Sequence, residues 1–378
     1  MLYQQVISIL LAFILINILL NLRSLRKAKP PAQIPEPAPL ISVLIPARDE
    51  ETNIEACLAS LRQQDYPRFE ILVLDDASTD NTADIVAGIA AEDSRVRLLH
   101  GKPLPSGWAG KPFACHQLAR EAKGTWLLFT DADTVHAPTV LRYVLGTALG
   151  SNAALISGFP YQRTTSIWQR MALPILFYYM LLSWMPLWWL QRSERALPTV
   201  AIGQFMFFSA MEYWDIGGHE AVKSRVVEDV WLAREVTRHN YSQLTLDLSQ
   251  FVSCQMYREF GPMWDGIGRW LYTVASLSIF MLIVMMVVVV LLFLAPFLWL
   301  AYGLLLSEPP FNWQLLVIAQ VAILLLGRFL VGRRFSQPKS SVILHPLGIG
   351  FLLLIGLYAG YRSVRHAGVR WKGRIYSP

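Results

Sequence analysis

Apolar residues of this chain are gathered into long blocks that flank a region of mixed composition. The first block covers residues 6–22, and three more cover 273–294, 315–330 and 342–358. A run of about 20 apolar residues is long enough to cross a bilayer as a helix. Hydrophobic residues make up 54% of the 378 positions and charged residues only 16%, which excludes an ordinary soluble enzyme. The sequence therefore predicts a membrane protein with a soluble domain between its membrane segments.

Basic residues border the apolar blocks, and the net charge is +6. This placement favours positive-inside topology and contact with anionic lipids over nucleic-acid binding. The first block has no basic residue before it and no small-residue cleavage site after it, which predicts a retained anchor. We therefore expect a multi-pass protein of the bacterial inner (plasma) membrane with a cytosolic catalytic domain. The pair His345-Pro346 cuts the last block, so we expect a re-entrant or interfacial helix there and a cytosolic tail.

These features divide the chain into five predicted parts. They are a transmembrane anchor at 1–29, a proline-rich linker at 30–39, a catalytic domain at 40–271, transmembrane helices at 272–361 and a basic tail at 362–378. Within the catalytic domain, residues 168–190 are rich in tryptophan and tyrosine and contain two prolines. Aromatic side chains of this kind predict helices at the bilayer interface, and a buried core helix is the alternative.

Strand-like and helix-like segments alternate from residue 40 onward. The predicted strands cover 41–45, 69–74, 96–99, 126–130 and 153–157, with predicted helices at 53–63, 80–91 and 112–122. This β-α-β alternation predicts an α/β fold with a mostly parallel, Rossmann-like sheet and right-handed crossovers.

Two aspartates, Asp131 and Asp133, follow the apolar strand 126–130 directly. Ligands of open α/β sheets collect at the carboxyl ends of the strands. Two carboxylates together with diphosphate oxygens suit a hard divalent cation such as Mg²⁺ or Mn²⁺. An Asp-x-Asp sequence is also common in ordinary turns, so the motif gains weight only from the rest of the chain.

Polar motifs also follow the first two strands. The first is Pro46-Ala-Arg48-Asp49-Glu50, and the second is the pair Asp75-Asp76. Both lie at the carboxyl ends of predicted strands and should therefore lie side by side. Their carboxylates can accept hydrogen bonds from a nucleotide base or a ribose, and helix-capping turns are the alternative.

Three further motifs carry charges that suit a transfer reaction. Lys111 enters a predicted helix, where its amine can contact a diphosphate, although an exposed lysine is the simpler interpretation. Glu228 and Asp229 enter a later helix, as a general base or as charges that complement the helix dipole. Arg269 and Trp270 precede the membrane block, where they can meet diphosphate and acceptor or serve as a membrane anchor.

Taken in this order, these motifs resemble the family 2 glycosyltransferases of the GT-A fold. Four further segments look like the membrane-anchored branch of that family, which includes carotenoid (diaponeurosporenoate- and chlorobactene-type) glucosyltransferases and hopene-associated glycosyltransferases. They are Gly107-Trp-Ala-Gly-Lys111-Pro, Gly203-Gln204-Phe205-Met-Phe, Gly217-Gly-His219-Glu and Trp371-Lys-Gly-Arg-Ile-Tyr.

The resemblance implies a metal-dependent, inverting transfer of a hexose, with glucose expected, from a UDP-sugar to a hydroxyl or carboxyl group of a membrane lipid such as a carotenoid or hopanoid. It implies a divalent metal (Mg²⁺ or Mn²⁺) as cofactor. By the same resemblance, Asp49 and Asp76 hold uridine, and Asp229 deprotonates the acceptor. The implied residues are Pro46, Arg48, Asp49, Glu50, Asp75, Asp76, Lys111 and Asp131 for the donor, Asp131 and Asp133 for the metal, Asp229, Glu228, Arg269 and Trp270 for catalysis, and Gly203, Gln204, Phe205 and His219 on the acceptor side.

Two other functions remain open at this point. A processive polysaccharide synthase has the same core motifs, but this chain has Gly266 where the processive pattern Gln-x-x-Arg-Trp has glutamine. A catalytically silent protein that binds nucleotide sugars is the second, and the intact Asp131, Asp133 and Asp229 argue against it. The sequence does not choose the lipid, the sugar or the oligomeric state.

Overall fold

The computed structural model describes residues 1–27, 34–191, 200–225, 227–305, 310–365, 369–371 and 374–376. Part of the predicted linker 30–39 and part of the predicted tail 362–378 lie outside these residues. The chain forms two compact units. We call residues 1–24, 162–186 and 256–378 the helical unit, and residues 25–161 and 187–255 the sheet unit.

The secondary structure alternates in the sheet unit and is almost entirely helical elsewhere. The strands are β1 (Ile41–Ala47), β2 (Phe69–Asp75), β3 (Val96–His100), β4 (Trp126–Thr130), β5 (Thr134–His136), β6 (Leu155–Phe159), β7 (Tyr161–Gln162), β8 (Phe205–Ser209), β9 (Gln243–Asp247), β10 (Val252–Cys254), β11 (Val369–Trp371) and β12 (Arg374–Tyr376). The helices are α1 (Leu2–Ser24), α2 (Ile54–Arg62), α3 (Thr82–Glu92), α4 (Gly110–Glu121), α5 (Val140–Ser151), α6 (Ile167–Pro174), α7 (Leu181–Trp184), α8 (Leu187–Leu190), α9 (Ala210–Asp215), α10 (Gly218–Ala221), α11 (Glu228–Arg238), α12 (Phe260–Leu277), α13 (Ile279–Val289), α14 (Ala295–Leu305), α15 (Phe311–Arg334), α16 (Ser340–Ile343) and α17 (His345–Val364). Two π-helical segments, Ile175–Met180 and Val290–Leu294, continue α6 and α13.

Seven strands form the central sheet in the order β3-β2-β1-β4-β8-β6-β9. The first four are parallel, β8 is antiparallel to both of its neighbours, and β6 pairs with β9 in parallel. Apolar side chains cover both faces of the sheet, with α2 and α5 packed on one face and α4 and α11 on the other. Burial on both faces explains why the parallel strands are continuous apolar runs.

The predicted fold class, a mostly parallel α/β sheet with membrane helices, is confirmed. The five predicted strands correspond to β1–β4 and β6. Register pairs Ala47, the last residue of β1, with Asp75, the last residue of β2, so the polar motifs after these strands share one edge of the sheet. Sequence analysis did not find β8 or β9, because β8 is a buried apolar run whose partners are distant in sequence.

The helical unit contains four helices that are long and apolar enough to cross a membrane, counted over the described residues. They are Leu2–Ser24, Ile279–Leu305, Phe311–Arg334 and His345–Val364. The predicted break at His345-Pro346 is present, because α16 ends at Ile343 and a separate helix, α17, begins at His345. Pro346 lies in the first turn of α17, where the missing N–H is tolerated, so the helix keeps 20 residues.

The aromatic stretch 168–190 contains both buried aromatic residues, as in a core helix, and exposed ones, as expected at a bilayer interface. Tyr178 and Tyr179 are buried in the helical unit, whereas Trp168, Trp184 and Trp189 are exposed. The boundary of the predicted catalytic domain also differs from the compact units. Residues 162–186 and 256–271 belong to the helical unit, although the prediction placed them in the domain 40–271.

Candidate active site

The turns that follow β1 and β2 are joined by hydrogen bonds. The backbone N–H of Asp76 donates to the carbonyl of Ala47 at 2.8 Å, and the Arg48 guanidinium donates to the carbonyl of Asp76 at 2.8 Å. Asp49 has a positive φ of 52°, which turns its carboxylate to accept the N–H of Thr79 at 2.8 Å. The two polar motifs therefore form one continuous surface at the end of the sheet.

The remaining carboxylates of these turns have defined surroundings. Asp75 and Asp76 are buried, and Asp75 accepts the N–H of Ser78 at 3.2 Å. Glu50 accepts a hydrogen bond from the side chain of Asn53 at 2.8 Å. Pro46 lies inside β1, next to Leu74 of β2. These contacts hold the turns in shape, as helix-capping turns do, and leave Asp49 half-buried at their surface.

The turn after β4 holds Asp131 and Asp133. Thr134 donates its hydroxyl to the carbonyl of Asp131 at 2.7 Å, which closes the turn. One carboxylate oxygen of Asp133, Oδ1, is buried and has no hydrogen-bond partner among the described residues. Burial, together with the negative charges of Asp131 and Glu50, raises the pKa of Asp133 to about 7. A bound cation would relieve both features, because it neutralises the charge and coordinates the orphaned oxygen.

Lys111 connects this turn to the start of α11. Its Nζ lies 2.7 Å from Asp131 Oδ1 and 3.0 Å from Glu228 Oε1. Although burial disfavours a charged amine, the carboxylates of Asp131 and Glu228 raise the pKa of Lys111 well above its usual value. The side chain is therefore a fixed cation between two carboxylates and not a free surface lysine.

Asp229 lies in the first turn of α11, next to Glu228. Its Oδ2 accepts the backbone N–H of Gly203 at 2.8 Å, and its Oδ1 accepts the backbone N–H of Val230 at 2.8 Å. Burial and the charge of Glu228 raise the pKa of Asp229 to about 6, against the opposing effects of Lys111 and the two N–H donors. A Cβ on residue 203 would lie 3.2 Å from Lys111 Nζ and 3.3 Å from Asp229 Oδ2, so a side chain here would displace at least one of these charged groups.

Comparison with known proteins identifies the domain that carries the site residues from Asp49 to Gly203. Residues 42–211 match the family described as "Glycosyl transferase family 2". This region is a family 2 glycosyltransferase domain. The resemblance that the motifs predicted is confirmed.

The similarity to one group of glycosyltransferases extends over nearly the whole chain. The 4,4'-diaponeurosporenoate glycosyltransferase of Staphylococcus aureus (strain USA300) is 26% identical over 351 residues, which cover 89% of this chain and 88% of that protein. The fold is also that of the mannosyltransferase PcManGT from Pyrobaculum calidifontis, solved in complex with GDP-Man and Mn²⁺. That match has a TM-score of 0.52 at 17% identity and covers 96% of this chain and 99% of the other.

Three of the predicted acceptor-side residues of the glycosyltransferase are buried. Gln204 donates to Cys254 Sγ at 2.9 Å, and Phe205 lies inside the central strand β8. His219 shares a hydrogen bond of 2.8 Å with the hydroxyl of Tyr213, and burial lowers its pKa to about 3, so the ring is neutral. Gly203, the fourth predicted residue, contacts the site directly, because its backbone N–H donates to Asp229 Oδ2.

Arg269 and Trp270 lie on α12 of the helical unit. This helix is amphipathic, with Met263 and Ile267 buried and Trp270 exposed. The two residues therefore occupy the more accessible side of a helix that packs its apolar side inward, and Arg269 is half-buried.

Sequence analysis did not select the layer of polar side chains beneath the Asp131 turn. Thr130 donates its hydroxyl to the carbonyl of Gln204 at 2.8 Å, and the hydroxyl of Thr134 lies 2.9 Å from His136 Nε2. Burial lowers the pKa of His136 to about 3, so it is neutral here. The signal was present in the sequence, since polar residues at 130, 134 and 136 flank the two aspartates within an otherwise apolar region.

Proposed function

We propose that this protein transfers a hexose, with glucose expected, from a UDP-sugar to a membrane lipid such as a carotenoid or hopanoid, with inversion at the anomeric carbon. The observation that carries the proposal is the position of the Lys111 amine, which contacts the Asp131 turn on one side and the Glu228-Asp229 helix start on the other. This arrangement brings a site for a diphosphate and a candidate general base into one cluster of contacts.

The donor would bind along the edge of the sheet that carries the first two motifs. Asp49 and Asp76 would accept hydrogen bonds from uridine, and Arg48 holds Asp76 in place through its carbonyl. The Lys111 amine, released from part of its contact with Asp131, would pair with the diphosphate. Pro46, Glu50 and Asp75 would shape the same surface.

Asp131 and Asp133 would hold a divalent metal such as Mg²⁺ or Mn²⁺. The fit rests on the buried, unpartnered Oδ1 of Asp133 and on the hard oxygen chemistry of the pair. Among the described residues no cluster of three or more His, Cys, Asp or Glu side chains is placed to bind a metal, so donor oxygens would complete the coordination. When bound, the metal supplies positive charge that stabilises the leaving diphosphate.

Asp229 would act as the general base. An ionised carboxylate accepts the proton of an acceptor hydroxyl as the hydroxyl oxygen bonds to the anomeric carbon and the bond to the diphosphate breaks. The N–H of Gly203 fixes the orientation of Asp229 Oδ2. A carboxyl acceptor is already ionised at neutral pH and needs no base, so this role of Asp229 applies to a hydroxyl acceptor. Glu228 would hold the Lys111 amine in position through their ion pair. Gly203, which has no side chain, would leave space for that amine and for the Asp229 carboxylate.

The lipid acceptor is supported by the four apolar helices and by the similarity to a carotenoid-type glycosyltransferase. We place the protein in the bacterial plasma membrane as a multi-pass protein, with the sheet unit in the cytosol. For Arg269 and Trp270 we keep the roles that the motif resemblance implies, contact with the diphosphate and with the acceptor.

A contact inside the helical unit argues against a processive synthase. The ring of Tyr257 packs against Gly266, and a Cβ at position 266 would lie 2.7 Å from the Cζ of that ring. A side chain at this position would require the Tyr257 ring to move. The chain therefore lacks the glutamine of the processive pattern here, which favours a single transfer over chain elongation.

The test uses the full-length protein in detergent with Mn²⁺ or Mg²⁺, a panel of radiolabelled nucleotide sugars and total lipid extract from the host. Chromatography should show one discrete labelled lipid that forms only with wild-type protein and not with the Asp229→Asn variant. A high-molecular-weight product that glycosidases degrade would instead establish a polysaccharide synthase. Donor binding without any labelled product would favour the silent binding protein.

A further inference from the structure

A pocket of about 410 Å³ lies in the helical unit, at the end of α15. Two basic residues, Arg333 and Lys339, line it together with the amide of Gln337. The remaining wall includes the apolar side chains of Phe329 and Val342. A basic and partly apolar pocket at the end of a membrane-spanning helix is the kind of surface at which lipid headgroups bind.

The pocket is built by the way α15 ends. The N–H of Gln337 donates to the carbonyl of Gly332 at 2.8 Å, and Ser336 adopts a left-handed conformation with φ of 54°. This pattern is a Schellman motif, which reverses the chain and carries Lys339 back past the last helical turn. A Cβ on Gly332 would find its nearest neighbours, one of them Val342, only at 4.0 Å, so the glycine leaves the pocket open.

The segment that follows Glu308 carries positive charge and no acidic residue. No aspartate or glutamate follows Glu308, whereas basic residues continue to Arg374. Arg328, one turn earlier in α15, is buried and donates to the carbonyls of Pro174 and Ser341 at 3.2 and 3.0 Å. Arg333 and Lys339 are exposed, and neither forms an ion pair within the described ranges. Among the described residues, Arg333 and Lys339 are therefore available to an anionic ligand.

Gln337 adds a second feature that points to a ligand. Its side chain is buried, and its Nε2 donates to the carbonyl of Phe335 at 3.0 Å and to the hydroxyl of Tyr178 at 3.4 Å. Its Oε1 is buried without a hydrogen-bond partner in the part of the chain that the structure describes. A buried acceptor of this kind calls for a donor such as a ligand hydroxyl.

We propose that this pocket binds an anionic phospholipid with a hydroxylated headgroup, as in phosphatidylglycerol. The phosphate lies between Arg333 and Lys339, and a headgroup hydroxyl donates to Gln337 Oε1. The exposed ring of Phe329 lies beside the acyl chains. The apolar wall and the position at the end of a membrane-length helix favour a lipid over free phosphate as the source of the anion.

The test measures binding to the full-length protein in nonionic detergent by native mass spectrometry. The probes are dioleoyl phosphatidylglycerol, dioleoyl phosphatidylcholine and inorganic phosphate. We expect phosphatidylglycerol to bind at least tenfold more tightly than phosphatidylcholine. Inorganic phosphate that competes as strongly as phosphatidylglycerol would overturn the assignment to a lipid. Phosphatidylethanol has the same charge without the free hydroxyl and should bind several-fold more weakly; equal binding would overturn the role of Gln337.

Matched variants separate the pocket from general charge attraction. The double variant Arg333→Gln/Lys339→Gln should weaken phosphatidylglycerol binding at least tenfold. The control, Arg362→Gln/Arg365→Gln, removes the same charge at the end of α17 and should change binding less than twofold. Equal losses in both double variants would show non-specific attraction and overturn the proposed site.

A steric variant keeps the test decisive if the charge variant does not fold. Gly332→Leu fills the pocket and leaves every charge in place, because the space around a Cβ at this position is open. We expect this variant to retain its Tm in detergent and to lose phosphatidylglycerol binding at least tenfold. Wild-type affinity in a folded Gly332→Leu protein would overturn the proposal. The readout is lipid binding alone, so its outcome is independent of the proposed transferase activity.

Discussion

Protonation of Asp229 should switch off transfer to a hydroxyl acceptor as the pH falls through about 6. The pKa of this carboxyl is raised to about 6 by burial and by Glu228, so its proton-accepting form is present above pH 6 and lost below it. With this pKa, about 90% of the carboxyl is ionised at pH 7 and about 10% at pH 5. We therefore expect kcat/KM to fall about tenfold between pH 7 and pH 5.

The assay measures kcat/KM for the lipid acceptor at saturating UDP-glucose and Mn²⁺. Saturating metal is needed because the pKa of Asp133 is raised to about 7, chiefly by burial, and its protonation would otherwise weaken metal binding over the same range. Asp229→Asn should lower kcat by a factor of about 10² to 10⁴ and keep donor affinity. Its residual activity should show no acid limb near pH 6, since an amide does not titrate.

Either of two results would refute this reasoning. A flat wild-type profile between pH 5 and pH 7, with an unchanged Tm across the range, would show that no base with this pKa acts in the reaction. An Asp229→Asn variant that loses donor binding and keeps transfer would show that Asp229 contacts the donor and is not the base.

Three further predictions concern the same site. Asp133→Asn should abolish the Mn²⁺ dependence of UDP-glucose binding measured by calorimetry, and an affinity that still rises with Mn²⁺ would contradict the metal assignment. Lys111→Met leaves Glu228 buried without its cation, which should lower the free energy of unfolding by about 3 kcal/mol and the Tm by roughly 6–12 °C. Adding Glu228→Gln to this variant should restore part of the lost stability. A Tm equal to wild type in Lys111→Met would show that the ion pair is not stabilising. Gly203→Ala places a methyl group 3.3 Å from Asp229 Oδ2 and should lower kcat between tenfold and about 100-fold with little change in donor affinity; wild-type kcat would show that the site tolerates this displacement.

The order of the sheet illustrates the limit of reasoning from sequence. The strand 41–47 was predictable from its apolar run and its polar end, as was the strand 126–130. The central strand 205–209 was not, because it pairs with residues 126–130 and 155–157, which are far away in the chain. The motif resemblance assigned Phe205 and Gln204 to the acceptor side, and the structure shows that Phe205 lies inside the sheet and Gln204 beneath the Asp131 turn.

The break before α17 was predictable from the sequence, whereas the length of this helix was not. Pro346 was expected to interrupt the apolar segment 342–358, because a proline inside a helix removes a backbone hydrogen bond. The chain does break there, between α16 and α17, but α17 continues to Val364. The helix begins one residue earlier, at His345, and the proline falls in the first turn, where no such bond is lost. Where a helix begins depends on how the preceding residues, here α16, pack and turn.

The sequence by itself determined the elements and their chemical content. Apolar periodicity and turn residues are local properties, so they identified the membrane-length blocks, the alternating strands and helices, and the carboxylates at the strand ends. The tertiary structure decided which of those groups touch. Lys111 lies between Asp131 and Glu228, and Gly203 meets Asp229, only because strands and helices from distant parts of the chain converge at one edge of the sheet. Such contacts depend on long-range packing, which no local pattern in the sequence encodes.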